Sequence, residues 1–202
     1  VKKLDSISEV FDGALVARGD LAVEMGYGNV PIIQKRITRL CHKHGKPVIL
    51  ATQMLESMIY NDTPTRAEVN DIAVAVEQSC DAVMLSAETS VGKFPIESVK
   101  IMSKVISKME NEISSFSNFK GTNPITSKID TQVSRCHSAS NITSELNAKL
   151  IVAMTESGSS AMSMSLFRPS SRIIALSPDE SVSKKLSLIW GLETVQIEDF
   201  ES

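Results

Sequence analysis

Three short apolar runs punctuate the first half of the chain: Ala14-Leu15-Val16-Ala17, Val48-Ile49-Leu50-Ala51 and Ala82-Val83-Met84-Leu85. Their starts lie about 34 residues apart, the size of one strand–helix unit. Each run is apolar on both faces, which predicts strands of a parallel sheet covered on both sides. Helical spacing fills the intervals. Val30, Ile33, Ile37, Leu40 and Cys41 recur with helical period between Val30 and His44. Gly45 then serves as the C-terminal cap and Pro47 forbids continuation. Thr65-Arg66-Ala67-Glu68 is a capping box, with Val69, Ile72, Ala73 and Val76 as the buried stripe behind it. A third helix is predicted from Ile96 to Met109, with Val99, Met102, Val105, Ile106 and Met109 facing inward.

The pattern then changes. Ser114 to Ser127 is rich in Ser, Asn, Gly and Pro, with Phe116 and Phe119 as isolated anchors, and reads as a linker. Beyond it the alternation resumes. A helix from Asp130 to Asn147 precedes a strand at Leu150–Met154, and a short helix at Ser160–Leu166 leads to a strand at Arg172–Leu176. A helix over Glu180–Ile189 precedes a last strand at Thr194–Ile197. The expected organisation is an α/β chain in two domains, 1–115 and 116–202.

Composition narrows the partners. The 202 residues are 42% hydrophobic and 22% charged, enough apolar content for buried cores. A net charge of −3 offers no basic footprint for nucleic acid or an anionic membrane, and neither is expected as a partner. No apolar run approaches the roughly 20 residues of a membrane-spanning helix. The start, Val1-Lys2-Lys3-Leu4-Asp5, has neither an initiator Met nor a signal core, and reads as the middle of a longer chain. Cys41, Cys80 and Cys136 are far apart and odd in number, which fits a reducing compartment better than a disulfide framework. The sequons at Asn61 and Asn141 and the tripeptide Arg18-Gly19-Asp20 matter only outside the cell, and are read as chance.

In parallel α/β folds, chemistry gathers after the carboxyl ends of strands. After the first strand comes Arg18-Gly19-Asp20. Asp20 is a hard oxygen ligand suited to Mg²⁺ or Mn²⁺. Gly19 admits a close backbone approach, and free N–H groups there can grip an anion. The alternative is a loop with surface charges, and both readings stay open. After the second strand, Thr52 offers a hydroxyl able to orient a substrate or relay a proton. On spacing alone it is more simply a helix cap. Met54, Leu55 and Met58 read as core. After the third, Ser86 and Glu88 suit either a polar site or a capped turn. Cys41 and His44, with His42 between, fit a helix C-terminus rich in cations better than a metal site. In the second half, Thr155-Glu156-Ser157-Gly158-Ser159-Ser160 follows a strand and opens a helix, the pattern of an anion site. It lacks the lysine of a P-loop, and Gly26-x-Gly28 is too little to be a dinucleotide motif.

Several strings go further. Ala17-Arg18-Gly19-Asp20-Leu21, Lys46-Pro47-Val48-Ile49 running into Ala51–Met58, Pro64–Glu68 and Met84–Thr89 resemble the pyruvate kinase family in order and spacing. The resemblance covers essentially the whole chain and is strongest from Asp12 to Glu97. It implies the last three βα units of an eight-stranded TIM barrel, followed by most of an α/β C-terminal regulatory domain, truncated at both ends. It implies a cytoplasmic glycolytic phosphotransferase that moves a phosphoryl group from phosphoenolpyruvate to ADP, giving pyruvate and ATP. By this resemblance Asp20 binds the divalent ion, Mg²⁺ or Mn²⁺, and Arg18, Gly19, Asp20 and Thr52 meet the substrate. Thr52 joins the proton relay, and Ser86 and Glu88 border the pocket. Thr155, Ser157, Gly158, Ser159 and Ser160 bind a phosphorylated allosteric effector. Glu156, where some relatives carry Lys, disfavours a second phosphate, so a monophosphate is expected. Arg66 falls near a subunit interface of a homotetramer. The K⁺ site, most nucleotide contacts, the Lys-x-Glu that completes the metal site and the lid domain lie outside the chain. The chain alone is therefore expected to be inactive and poorly soluble, because three strands cannot close a barrel. Two rivals share features: a pyruvate-handling aldolase or lyase in a similar barrel, and a non-catalytic regulatory relative.

Overall fold

Strand, helix, strand is the order that the apolar runs impose. The chain adopts it in the computed structural model, which describes residues 3–115 and 131–198. In chain order the first elements are α1 (Leu4–Val10), β1 (Ala14–Ala17), α2 (Arg18–Met25), α3 (Val30–Lys43), β2 (Val48–Ala51), α4 (Arg66–Glu77), β3 (Ala82–Met84), α5 (Ala87–Ser90) and α6 (Pro95–Ser115). Then come α7 (Thr131–Glu145), β4 (Leu150–Met154), α8 (Ser159–Ser165), β5 (Arg172–Ser177), α9 (Glu180–Leu186) and β6 (Leu192–Gln196). Contacts divide the chain into two units, Val1–Cys41 with Lys46–Phe119, and His42–Gly45 with Lys120–Ser202. The linker expected over Ser114–Ser127, with its anchors Phe116 and Phe119, and the boundary expected after residue 115 run into residues 116–130, outside the described residues.

Among the described residues each unit holds one three-stranded parallel sheet, in the orders β1-β2-β3 and β4-β5-β6. In the first, Ala17 pairs with Ala51 and Ala51 with Met84, so the three strands end level. Central β2 explains the hydrophobic run, since Val48, Leu50 and Ala51 are fully buried. Around it pack Val16, Met54, Leu55, Met58, Ile72 and Met102. β1 is an edge. Its Leu15 is 51% exposed, so the expected covering on both sides is not supplied there by the described residues.

Caps set the helix bounds. α4 begins at Thr65, whose hydroxyl accepts from the Glu68 N–H while the Glu68 carboxylate accepts from the Thr65 N–H, the reciprocal box expected. α3 ends as Lys46 N–H closes on the Cys41 carbonyl at 2.9 Å. The α6 face is less complete than its spacing suggests: Met102 is buried, whereas Val99 is 53% exposed.

In the second unit, Ile151, Ile173 and Ala175 point to the buried side of the sheet. They pack with residues of the helices, Cys136 and Met164 in one cluster and Ala161, Val182 and Leu186 in another. The opposite side of β4 carries Leu150, Val152 and Met154, all exposed. No described helix is long and apolar enough to cross a membrane.

Candidate functional site

The level ends of β1, β2 and β3 set their following residues side by side. α2 starts immediately after β1, so Arg18-Gly19-Asp20 opens a helix. Its N-cap residue Ala17 has no side chain with which to satisfy the first-turn N–H groups. Thr52, at the tip of the neighbouring strand, does this instead, its Oγ1 accepting from the Gly19 N–H at 2.9 Å. Thr52 is thus a cap, as its spacing suggested, but of the helix after the adjacent strand. Because the oxygen accepts from Gly19, the hydroxyl proton stays available for donation.

This contact needs an unusual backbone. Thr52 and Gln53 have φ of 66° and 55°, two successive left-handed residues. Each costs about 1–2 kcal/mol for an L-residue, and Thr is β-branched, for which the conformation is rare. The surroundings determine it. Arg18, buried at the start of α2, donates from Nε and Nη2 to the Thr52 carbonyl at 3.2 and 2.8 Å. Nη2 also reaches the Gln53 carbonyl at 2.7 Å and Met54 Sδ at 3.0 Å. Nη1 meets Asp71 Oδ2 of α4 at 2.9 Å. The guanidinium is therefore engaged by the chain itself, supporting the segment that carries Thr52.

From the other side, Glu88 of α5 is 2% exposed. Its Oε1 accepts from the Leu55 N–H at 3.2 Å and its Oε2 from the Ser86 N–H at 2.7 Å. Both oxygens thus hold backbone N–H groups. Ser86 is half-buried and adopts φ −122°, ψ −99° ahead of α5. The polypeptide from Thr52 to Leu55 is gripped at its carbonyls by a cation and at an amide by an anion.

Lower down, Glu68 ties the 3₁₀ turn Glu56–Ile59 to α4. Its oxygens accept from Ser57 N–H at 2.7 Å and Ser57 Oγ at 2.6 Å, as well as from Thr65. Burial alone would raise its pKa, but the hydrogen bonds from Ser57 and Thr65 prevail and the carboxyl is held below its usual value.

Asp20 is exposed in the first turn of α2. Among the described residues no three His, Cys, Asp or Glu converge as a metal site. Asp20 supplies one hard oxygen suited to a divalent ion, and further ligands would have to come from outside the described residues. Burial, with Asp81 adding and Lys46 opposing, pushes the Cys41 thiol up to about 11, which disfavours its thiolate.

In the second unit the expected anion loop closes on itself. Buried Thr155 accepts from the Gly158 N–H at 2.9 Å, and Gly158 takes φ +83° to open α8. Ser157 is exposed at the turn. Ser159 and Ser160 accept from Gln132 Nε2 of α7 at 2.9 and 3.5 Å. Gln132 and Asp71 were not picked out from sequence. Nothing in the sequence marks either: the burial of Arg18, which demands an acceptor such as Asp71, is itself set by the fold.

Comparison with known families now bears on these strand tips. The family model for the pyruvate kinase barrel domain matches residues 1–99, and that for the pyruvate kinase alpha/beta domain matches 134–202. The chain belongs to the pyruvate kinase family. It is 42% identical over 202 residues to a pyruvate kinase of Clostridium acetobutylicum, covering 100% of this chain and 42% of that protein. It is 46% identical over 189 residues to one from Thermotoga maritima, covering 94% of this chain and 40% of that protein. A solved pyruvate kinase from Cryptosporidium parvum superposes with a TM-score of 0.87 at 36% identity, over 97% of this chain and 40% of its own. The chain thus spans about two fifths of the relatives it matches. Within the pyruvate kinase fold it supplies barrel strand–helix units and an α/β C-terminal domain.

Proposed function

We propose that this chain carries part of the phosphoenolpyruvate site of a pyruvate kinase, the enzyme that transfers the phosphoryl group to ADP. The supporting observation is the junction of two strand tips, where Gly19 N–H meets Thr52 Oγ1 beside the exposed carboxylate of Asp20. With the Gly19 N–H held by Thr52, Asp20 offers its first-turn backbone N–H and its carboxylate to an anionic substrate with its counter-ion. Thr52 presents a proton donor fixed in place, suited to the relay that converts enolate to pyruvate. Arg18 takes part by fixing this tip, and Ser86 with Glu88 forms the adjoining wall.

A divalent ion, Mg²⁺ or Mn²⁺, belongs to this reading and would stabilise the enolate charge as the phosphoryl group leaves. Asp20 would give it one oxygen, the other ligands and the K⁺ site coming from outside the described residues. Residues 1–115 then form the closing units of a catalytic barrel and 116–202 a regulatory domain. In the latter, the turn Thr155, Ser157, Gly158, Ser159 and Ser160 takes a phosphorylated effector, and the exposed Glu156 favours a monophosphate. The whole enzyme works in the cytoplasm, in glycolysis, as a homotetramer. The 202 residues alone are inactive.

The test is lactate-dehydrogenase-coupled turnover of phosphoenolpyruvate and ADP by the gene product carrying this sequence, beside its Asp20→Ala variant. Mg²⁺-dependent turnover that collapses in the variant is expected. A well-folded protein without turnover would refute the assignment and favour a phospholigand-binding regulatory relative.

A further inference from the structure

Thr52 is useful only if its hydroxyl is held, and its own backbone does not favour the geometry that holds it. Successive left-handed residues turn their carbonyls to the same side, as in any helical turn. The Thr52 and Gln53 carbonyls accordingly meet at one guanidinium, Arg18 Nη2, at 2.8 and 2.7 Å. Arg18 Nε adds a second bond to Thr52 at 3.2 Å. The same residue begins the helix whose Gly19 N–H is the partner of Thr52 Oγ1. One side chain therefore fixes both halves of the contact: it sets the turn that aims the hydroxyl, and it anchors the helix that receives it. Asp71, 48% exposed on α4, holds the remaining arm of the fork at 2.9 Å. A planar guanidinium can span three acceptors on different elements, whereas an ammonium of similar reach is a single point.

We infer that Arg18, seated by Asp71, is a positioning residue that keeps the Thr52 hydroxyl on Gly19 and so sets the rate of the step Thr52 serves, without touching substrate. The inference rests on the phosphoenolpyruvate site proposed above, but its structural half can be tested separately. Displacing a reacting group by about 1 Å can cost about a hundredfold in rate. Breaking one hydrogen bond speeds amide exchange by about tenfold.

The experiment compares the gene product with its Arg18→Lys and Asp71→Asn variants by steady-state kinetics and by hydrogen exchange at the Gly19 amide. In Arg18→Lys, kcat should fall by about 10- to 100-fold, with KM for phosphoenolpyruvate changed less than about threefold. The Gly19 amide should exchange about tenfold faster. Asp71→Asn should move both in the same direction by a smaller factor. An Arg18→Ala variant should regain turnover with added guanidinium ion but not with ammonium, a rescue that general loss of stability would not give. A raised KM with unchanged kcat would overturn the inference, because it would mean that Arg18 grips substrate. Unchanged Gly19 exchange would overturn it too. Should the unaltered protein show no turnover, the proposed activity fails, while the Gly19 exchange still decides the positioning role. Should Arg18→Lys fail to fold, Asp71→Asn decides it: accelerated Gly19 exchange supports the inference and unchanged exchange overturns it.

Discussion

Gly158 offers a perturbation whose cost can be divided into two physical parts. At φ +83° it occupies a left-handed conformation, and a Cβ placed there would lie 3.1 Å from Leu186 Cδ2 and 3.2 Å from Val182 Cγ1. Gly191 has φ +67° but nothing within 4 Å of its added Cβ. Gly191→Ala therefore measures the backbone part alone, about 1 kcal/mol. Gly158→Ala adds crowding. Leu186 is fully buried in a cluster with Ala161, Ala175, Val182 and Ile189, so it has nowhere to swing. Overpacking of this kind begins at about 1 kcal/mol, which brings Gly158→Ala to about 2 kcal/mol. With a urea slope of about 1 kcal/mol per molar for a unit this small, the unfolding midpoints should fall by about 1 M and about 2 M. Trp190, the only Trp in the sequence, reports on this unit. Its ring lies 4.5 Å from the Arg168 guanidinium carbon, and its carbonyl accepts from Ser165 Oγ at 2.6 Å, so its fluorescence should change on unfolding. Equal midpoints for the two variants would refute the crowding argument. If neither variant is destabilised, the left-handed assignment itself is refuted.

Two further outcomes follow from proton affinities. Because the folded-state pKa of Glu68 lies below its ordinary 4.5, its contribution to stability is fully present above that value and is lost as pH falls through the folded pKa. The stability gap between the protein and Glu68→Gln, measured by urea unfolding, should therefore be constant near neutrality and shrink below about pH 4.5; a gap independent of pH would contradict the hydrogen-bond account. Cys41, with its thiol pushed up to about 11 and its side chain wholly buried, should resist a thiol reagent at pH 8 until the protein unfolds. Rapid labelling of the folded protein at Cys41 would count against its packing.

The strands were legible because each is a short run of apolar residues with no competing period. β1 and β2 match the runs residue for residue. The capping box at Thr65 was legible for the same reason: its chemistry is local, three residues wide. The placement of Gly19, Asp20 and Thr52 at neighbouring strand ends followed from the apolar runs that precede them. What escaped were contacts between residues far apart in sequence. Arg18 looks like a surface cation until its acceptors, 34 and 35 residues away, are known. α2 carries no cap of its own that the sequence could show, because the Thr52 oxygen that caps it comes from another strand. The open side of β4 was invisible too, since Leu150, Val152 and Met154 read as core whether or not anything covers them.

The grip on the Thr52–Leu55 segment has a bearing on how such sequences can drift. Arg18 binds carbonyls and Glu88 binds amides, and those groups are the same in nearly every residue. Gln53 and Leu55 can therefore be exchanged for other residues without the clamp noticing, provided the new residue tolerates its backbone angles and still packs. Asp71 and Met54 meet Arg18, and Thr52 meets Gly19, through side chains. Paired substitutions should thus link Arg18 to Asp71, and Arg18 should show no such link to Gln53, although the two touch at 2.7 Å. A method that infers proximity from correlated sequence change would leave that contact off its map, and one that sees backbone geometry would find it first.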